Sequence, residues 1–254
     1  MSDELLIEYR DGIQILTINR PQARNACTKA VAEAMAAALD ELERRDDLRV
    51  AILTGAGGTF CAGMDLKGFL KGERPSLPGR GFAGLTEAPP SKPLIAAVEG
   101  YALAGGFELV LASDLVVAAQ NAQFGLPEVK RGLVAAAGGL LRLPHQLPER
   151  IAMELVLTGD MCDAQRAYAY GLVNRLTPPG EALAGALELA QRIVANGPLA
   201  VAASKRVMKA SRDWAQDEMF ARQRAITEPV FASADAREGA AAFAEKRPAR
   251  WQGR

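Results

Sequence analysis

Apolar and polar residues alternate on both sides of Asp11-Gly12, a dipeptide that favours tight two-residue turns. Residues 5 to 19 therefore read as a β-hairpin, with Ile7 and Tyr9 on the same side as Ile13 and Ile15. Asn19-Arg20-Pro21 ends the second strand. Thr28 is then placed to cap a helix in which alanines, Met35, Leu39 and Leu42 recur at helical spacing as far as Arg45. A β-rich run at 49–54, a Gly55-Ala56-Gly57-Gly58 turn and the stretch from Phe60 to Leu66 follow, with Asp65 in position to cap a short helix. From Lys71 to Lys92 prolines and glycines interrupt every period, which predicts a mobile surface loop of the kind that covers a site. Residues 94–98 read as a buried strand, Gly105–Ala112 as a central helix and 114–118 as the next strand, so a strand-rich unit ending in a helix recurs with variation.

After Phe124-Gly-Leu-Pro-Glu128 a Gly- and Ala-rich segment runs to Leu143. Helices are predicted near 149–157 and 164–170, with Asn174 at the end of a short strand. Beyond Glu181 only helical patterns remain, with starts at Gly197-Pro198, Ser211-Arg212-Asp213 and Ser233-Ala234-Asp235. The chain thus divides into a strand-bearing body, 1–196, and an all-helical tail, 197–254, that either packs back on its own chain or builds a subunit interface. Its apolar positions include Val201, Val207, Met208, Trp214 and Phe220.

Composition narrows the partners. The chain has 254 residues, 49% of them apolar and 24% charged, enough to bury a sizeable core. Thirty basic residues balance thirty acidic ones, which speaks against nucleic acid or an anionic membrane as the main partner. Cys27, Cys61 and Cys162 are odd in number and widely spaced, so neither a disulfide framework nor a zinc site is indicated, and reduced cytoplasmic thiols are expected. The amino-terminal residues show no basic segment leading into an apolar core, and no stretch reaches the roughly 18 apolar residues of a membrane span. The single histidine, His145, reads as a surface loop residue, which leaves triad hydrolysis and multi-histidine metal sites poorly supported.

One carboxylate stands out. Within Tyr101–Ala112 the i±3 and i±4 neighbours of Glu108 are Ala104, Gly105, Leu111 and Ala112, so no helical ion pair accounts for it. A buried carboxylate with no partner is costly and has a raised pKa; the plain alternative is a side chain that bends to solvent at the helix start. Gly105 and Gly106 favour the first reading, because glycines opening a helix let a ligand approach the backbone and aim free N–H groups at negative charge. Proton chemistry beside a carbonyl is the expectation.

Three segments together, Phe60-Cys-Ala-Gly-Met-Asp-Leu66, Gly100-Tyr-Ala-Leu-Ala-Gly-Gly-Phe-Glu108 and Phe124-Gly-Leu-Pro-Glu128 followed by Gly132 and Gly138-Gly139, form a known pattern. The chain resembles the crotonase, or enoyl-CoA hydratase/isomerase, superfamily, from Asn19-Arg20-Pro21 to Phe243-Ala-Glu-Lys246-Arg247. The resemblance implies an α/β fold, a crotonase-like spiral of ββα repeats with a C-terminal all-helical trimerisation region. It also implies binding of acyl-CoA thioesters, with an oxyanion hole made by the backbone N–H groups of Met64 and Gly105.

The two glutamates that hydrating members use carry over to Glu108 and Glu128, one activating water and the other delivering a proton. For Glu128 an ordinary ion pair with Lys130 or Arg131 is the competing reading. The CoA moiety is assigned by the same resemblance to Ala23, Arg24, Ala62, the turn Met64, Asp65, Leu66, Lys67, the Gly105 backbone, and Phe243 and Lys246, the last two reaching a neighbouring subunit's ligand. Ala104, Met64 and Ala135 depart from the common pattern, which leaves the acyl pocket open.

The resulting expectation is an enoyl-CoA hydratase, with an enoyl-CoA isomerase or a carnitinyl-CoA-type dehydratase as alternatives. No metal and no separate cofactor are expected, coenzyme A being part of the substrate. The partners expected are the acyl-CoA thioester and further copies of the chain, as a homotrimer or dimer of trimers, with no nucleic acid and no membrane. A non-catalytic trimer that binds RNA or protein is the reading of another class, and the balanced charge and retained glutamates speak against it.

Overall fold

The computed structural model describes residues 3–254; Met1 and Ser2, part of the stretch read above for a targeting segment, lie outside the described residues. The chain opens with β1 (Leu5–Arg10) and β2 (Ile13–Ile18), joined through Asp11 and Gly12, both at positive φ (49° and 79°) as a tight hairpin turn requires. Because the two-residue turn pairs Arg10 with Ile13, Ile7 faces Leu16 and Tyr9 faces Gln14. This corrects the expected facing: Ile7 and Tyr9 share a side with Leu16 and Gln14, while Ile13 and Ile15 point to the other face. A pairing in which odd residues oppose even ones allows nothing else.

Helix α1 (Lys29–Arg44) starts at Thr28, whose side chain accepts the Val31 N–H, and is followed by β3 (Val50–Gly55) and the short α2 (Leu66–Phe69). A small hairpin of β4 (Ser76–Leu77) and β5 (Gly81–Phe82) precedes β6 (Leu94–Val98), β7 (Tyr101–Leu103), α3 (Gly105–Ala112), β8 (Leu115–Ala119) and β9 (Gln123–Gly125). Then come α4 (Gly139–Gln146), α5 (Glu149–Thr158), β10 (Cys162–Asp163), α6 (Ala164–Ala169), β11 (Arg175–Thr177) and α7 (Ala182–Val194). The tail is α8 (Pro198–Ala210), α9 (Met219–Phe231) and α10 (Ala234–Glu245).

The main sheet runs β1-β2-β3-β6-β8-β11, parallel except for β1. Alternation along each strand divides the core. Ile13, Ile15, Val50, Ile52, Ile95 and Val117 pack under Ala182, Ala186 and Ala190 of α7, whereas Leu16, Ile18, Leu53, Ala96 and Val98 face α1, α3 and the second sheet. That second sheet, β10-β9-β7, sets the residues after Leu103 and after Gly125 side by side, since β7 and β9 are parallel. Strands and helices thus alternate in the expected mixed architecture.

Four local expectations need correction. The segment from Lys71 to Lys92 is not a loose loop: Phe82, Ala83, Leu85 and Thr86 are buried, and the Phe82 N–H donates to Thr86 Oγ1 at 2.9 Å. Phe82, Ala83 and Leu85, too few to give a period, are enough to anchor it. His145 lies in the last turn of α4 and is exposed; burial of Leu143 and Leu147 pulls that segment into a helix despite Pro144. Asn174 stands just before β11 and accepts the Val116 N–H at 2.7 Å. Ser211–Asp213 prolongs α8 as a 3-10 turn, and the next helix begins only at Met219.

The tail packs back in part on its own chain. Lys205 of α8 reaches Asp114 (2.5 Å) and the carbonyls of Pro90 and Lys92, and Trp251 donates to the Ala195 carbonyl at 2.8 Å, so part of it packs on its own body. Helix α9 buries no residue, and Phe220, Phe231 and Phe243 are exposed.

Candidate active site

Two turns meet at the centre. Cys61 N–H donates to the Tyr101 carbonyl and Leu103 N–H to the Cys61 carbonyl, both at 2.9 Å, so the stretch before Met64 runs beside β7. Gly63 (φ 97°) closes the gap: a Cβ there would stand 3.2 Å from the Gly105 nitrogen and 2.9 Å from Ala104 Cβ. Asp65 then caps α2 by accepting the N–H groups of Lys67 (2.9 Å) and Gly68 (3.2 Å), and Arg20 Nη2 holds its other oxygen at 2.9 Å. Burial works against the Asp65 charge, but Arg20 and the Gly68 and Lys67 amides outweigh it and keep the pKa below the usual carboxylate range.

On the other side Ala104 takes φ 52°, ψ −128°, a costly conformation for any residue but glycine, and starts α3. The N–H groups of Met64 and Gly105 donate to no group among the described residues, which leaves both free for a ligand oxygen.

Helix α3 buries every one of its residues, Glu108 included, which is 3% exposed. The carboxylate does not bend to solvent. Its Oε1 accepts the Ala137 N–H at 2.7 Å and the Gly139 N–H at 2.8 Å, from the chain entering α4. Glycine is needed here for space, since a Cβ on Gly139 would lie 3.0 Å from that oxygen. Burial pushes the Glu108 pKa up, while the Gly139 and Ala137 amides and the nearby Arg142 charge pull it down; the net direction is upward.

Glu128 sits on a 3-10 turn (Pro127–Arg131) after β9. Among the described residues it makes no ion pair: Lys130 binds Asp160 instead, at 2.7 Å, and Glu128 Oε2 is buried without a hydrogen-bond partner there. Burial, reinforced by the charge of Glu108 and only partly offset by its own backbone amide and Arg131, pushes its pKa up to about 7. The two carboxyl groups thus differ: one oxygen of Glu108 is anchored by two amides, whereas Glu128 keeps a proton to near neutrality.

Both glutamates line one cavity of about 750 Å³ together with Arg24, Ala62, Met64, Leu66, Phe82, Leu103, Gly105, Leu133 and Val134. Of the residues expected around CoA, Arg24, Ala62, Met64, Leu66 and Gly105 therefore lie together. Ala23, Asp65, Lys67, Phe243 and Lys246 do not line it; Asp65 is engaged in capping, and Phe243, 89% exposed, stands with Lys246 at the end of α10. The readings from sequence missed Ala137, Gly139, Phe82 and Arg142. The Gly138-Gly139 pair was the available sign of the first two. Cys27, Cys61 and Cys162 are free and buried. Among the described residues no helix is long and apolar enough to cross a membrane, and no cluster of His, Cys, Asp or Glu could hold a metal ion.

The model of the enoyl-CoA hydratase/isomerase family matches residues 8–254. The chain belongs to that family. A carnitinyl-CoA dehydratase of Salmonella arizonae is 46% identical, with both chains covered completely. The crystal structure of an enoyl-CoA hydratase from Mycobacterium marinum is 61% identical, superimposes with a TM-score of 0.98 and is likewise covered in full. A carnitinyl-CoA hydratase from Mycobacterium avium is 46% identical with a TM-score of 0.80, again over both whole chains. As a member of this family the chain has the crotonase fold, and acyl-CoA thioesters are its ligand class.

Proposed function

We propose that this family member is a hydro-lyase that adds water reversibly across the C2=C3 bond of a 2-enoyl-CoA thioester. The observation that carries the reading is the contrast between Glu108, anchored through Oε1, and Glu128, protonated to about pH 7, on one cavity beside two free N–H groups. Water attacks C3 and gives a proton to Glu108; Glu128 delivers its proton to C2; the thioester oxygen carries the developing charge and is held by the Met64 and Gly105 amides. Coenzyme A belongs to the substrate, and no separate cofactor takes part. Dehydration of a carnitinyl-type thioester is the same chemistry run backwards, and the names of the full-length relatives favour it as a second reading.

The test is loss of the conjugated thioester absorbance on incubation with crotonyl-CoA. Its pH dependence is specific. Hydration starts from Glu108 ionised and Glu128 protonated, and dehydration starts from the reverse, so both directions need one proton on the pair. Accordingly kcat/KM should fall above about pH 7, by about tenfold per pH unit, identically for hydration of the enoyl and dehydration of the hydroxyacyl substrate. A flat profile from pH 6 to 9 would remove Glu128 from the acid role.

We infer further that the chain works in the cytoplasm as a trimer or a dimer of trimers. Phe220, Phe231 and Phe243, 71%, 79% and 89% exposed in the single chain, support burial between copies, as does the absence of buried residues in α9. Sedimentation at micromolar concentration should give at least three chains per particle; a monomer would overturn this and the proposed reach of Lys246 into a neighbour's site.

A further inference from the structure

The Met64 donor sits on a short stretch that is held from behind. Cys27 N–H donates to the Gly63 carbonyl at 2.8 Å, and the Cys27 carbonyl accepts the Asp65 N–H at 3.0 Å, which pairs Cys27 with Met64 as two parallel strands pair. In such a pair the bonding groups before and after Met64 turn toward Cys27, so the N–H of Met64 itself turns away from it. The angle at which that N–H meets a thioester oxygen is therefore fixed by how Ala26-Cys27 lies against Gly63-Met64-Asp65.

One side chain spans both stretches. Arg20, whose side chain is 13% exposed, directs Nη1 to the Ala26 carbonyl and Nη2 to Asp65 Oδ2 at 2.9 Å, while Nε stands 3.0 Å from Glu4 Oε1. Its backbone is fixed as well: its N–H donates to Oδ1 of the fully buried Asn25 at 2.8 Å, and its carbonyl accepts the Asn25 N–H at 2.9 Å. Arg20 does not line the cavity. Asp65, ionised at neutral pH because its pKa lies below the usual carboxylate range, is the residue next to the donor. An uncompensated carboxylate there would oppose the negative charge that develops on the thioester oxygen.

We propose that Arg20 is a positioning residue of the oxyanion hole: by joining the Ala26 carbonyl to Asp65 and compensating the Asp65 charge, it aims the Met64 N–H and keeps it effective toward the reacting thioester. The planar fork of a guanidinium reaches two acceptors at fixed angles, which a lysine ammonium does not reproduce. The inference rests on the hydro-lyase reading and deepens it.

The experiment compares the parent with Arg20→Met and Arg20→Lys, each checked for folding by circular dichroism, with crotonyl-CoA for turnover and 4-(dimethylamino)cinnamoyl-CoA for polarisation. In the second thioester the amino group pushes charge toward the carbonyl, so its absorbance moves to the red when donors hold the carbonyl oxygen. Arg20→Met should lower kcat by about tenfold or more with KM within about threefold of the parent, and the red shift of the saturated complex should shrink; Arg20→Lys should fall in between. Adding Asp65→Asn to Arg20→Met should restore part of both, because asparagine keeps an acceptor for the Lys67 and Gly68 amides and removes the uncompensated charge. A brace that served stability alone would lower the unfolding midpoint and leave the shift unmoved. Parental kcat and shift in a folded Arg20→Met protein, or a loss confined to KM, overturns the proposal; if Arg20→Met does not fold, Arg20→Lys decides by the same two readings. In the parent, a red shift without hydration of crotonyl-CoA overturns the hydro-lyase reading alone, hydration without a shift overturns the proposal alone, and the absence of both overturns the two together.

Discussion

Glu108→Gln and Glu128→Gln should each lower kcat for hydration by about a thousandfold, with thioester binding nearly intact, in line with the usual loss of a general acid or base. The geometry makes glutamine a clean probe at position 108. Its carbonyl oxygen can keep the Ala137 and Gly139 N–H groups, at 2.7 and 2.8 Å in the parent, so the side chain stays where it is and only proton exchange is lost. At position 128 the amide replaces a carboxyl whose Oε2 has no protein partner, so little else is disturbed. Because both groups act in one transition state, the double variant should be little slower than either single one. An isomerase would behave otherwise, since one carboxylate can carry a proton between carbons and one of the two substitutions would be nearly silent. Near-parental hydration in both single variants, measured by loss of the conjugated absorbance, would refute the two-glutamate mechanism.

Gly105→Pro should reduce turnover by roughly a hundredfold to a thousandfold, about 3 kcal/mol, because it deletes one of the two donors to the thioester oxygen. Proline is tolerated at a helix start, but two features here oppose it: Ala104 already holds φ 52°, and the Phe82 ring lies where added atoms would go. A circular dichroism spectrum and an unfolding midpoint must therefore accompany the assay. Met64→Ala is the control. It removes a half-buried side chain but keeps the N–H, and it should retain most of the turnover. A folded Gly105→Pro protein with parental activity, or a folded Met64→Ala protein without any, would refute the assignment of backbone donors.

What the amino-acid sequence determined by itself was whatever depends on neighbours in the chain. The Asp11-Gly12 hairpin, the caps at Thr28, Asp65 and Ser233, and the entry of Gly105 into α3 follow from side chains and backbone torsions within a few residues of each other. The isolation of Glu108 among small and apolar residues was legible for the same reason, and so was the family pattern. What only the tertiary structure decided were the partners that come from far along the chain. The N–H groups holding Glu108 belong to Ala137 and Gly139, and the Gly138-Gly139 pair marks a close approach without telling which distant side chain it receives. Whether Glu128 pairs with Lys130 or stays alone depended on Asp160, which lies 30 residues from Lys130 and takes the lysine away. The order of the stretch from Arg80 to Thr86 escaped the sequence pattern because it comes from Gly105 under the Phe82 ring, Asp40 bound by Arg80 and Arg142 bound to the Thr86 carbonyl, none of them near it in the chain. Burial and electrostatic environment are sums over such distant neighbours, so the raised pKa of Glu128 exists only once the chain has folded.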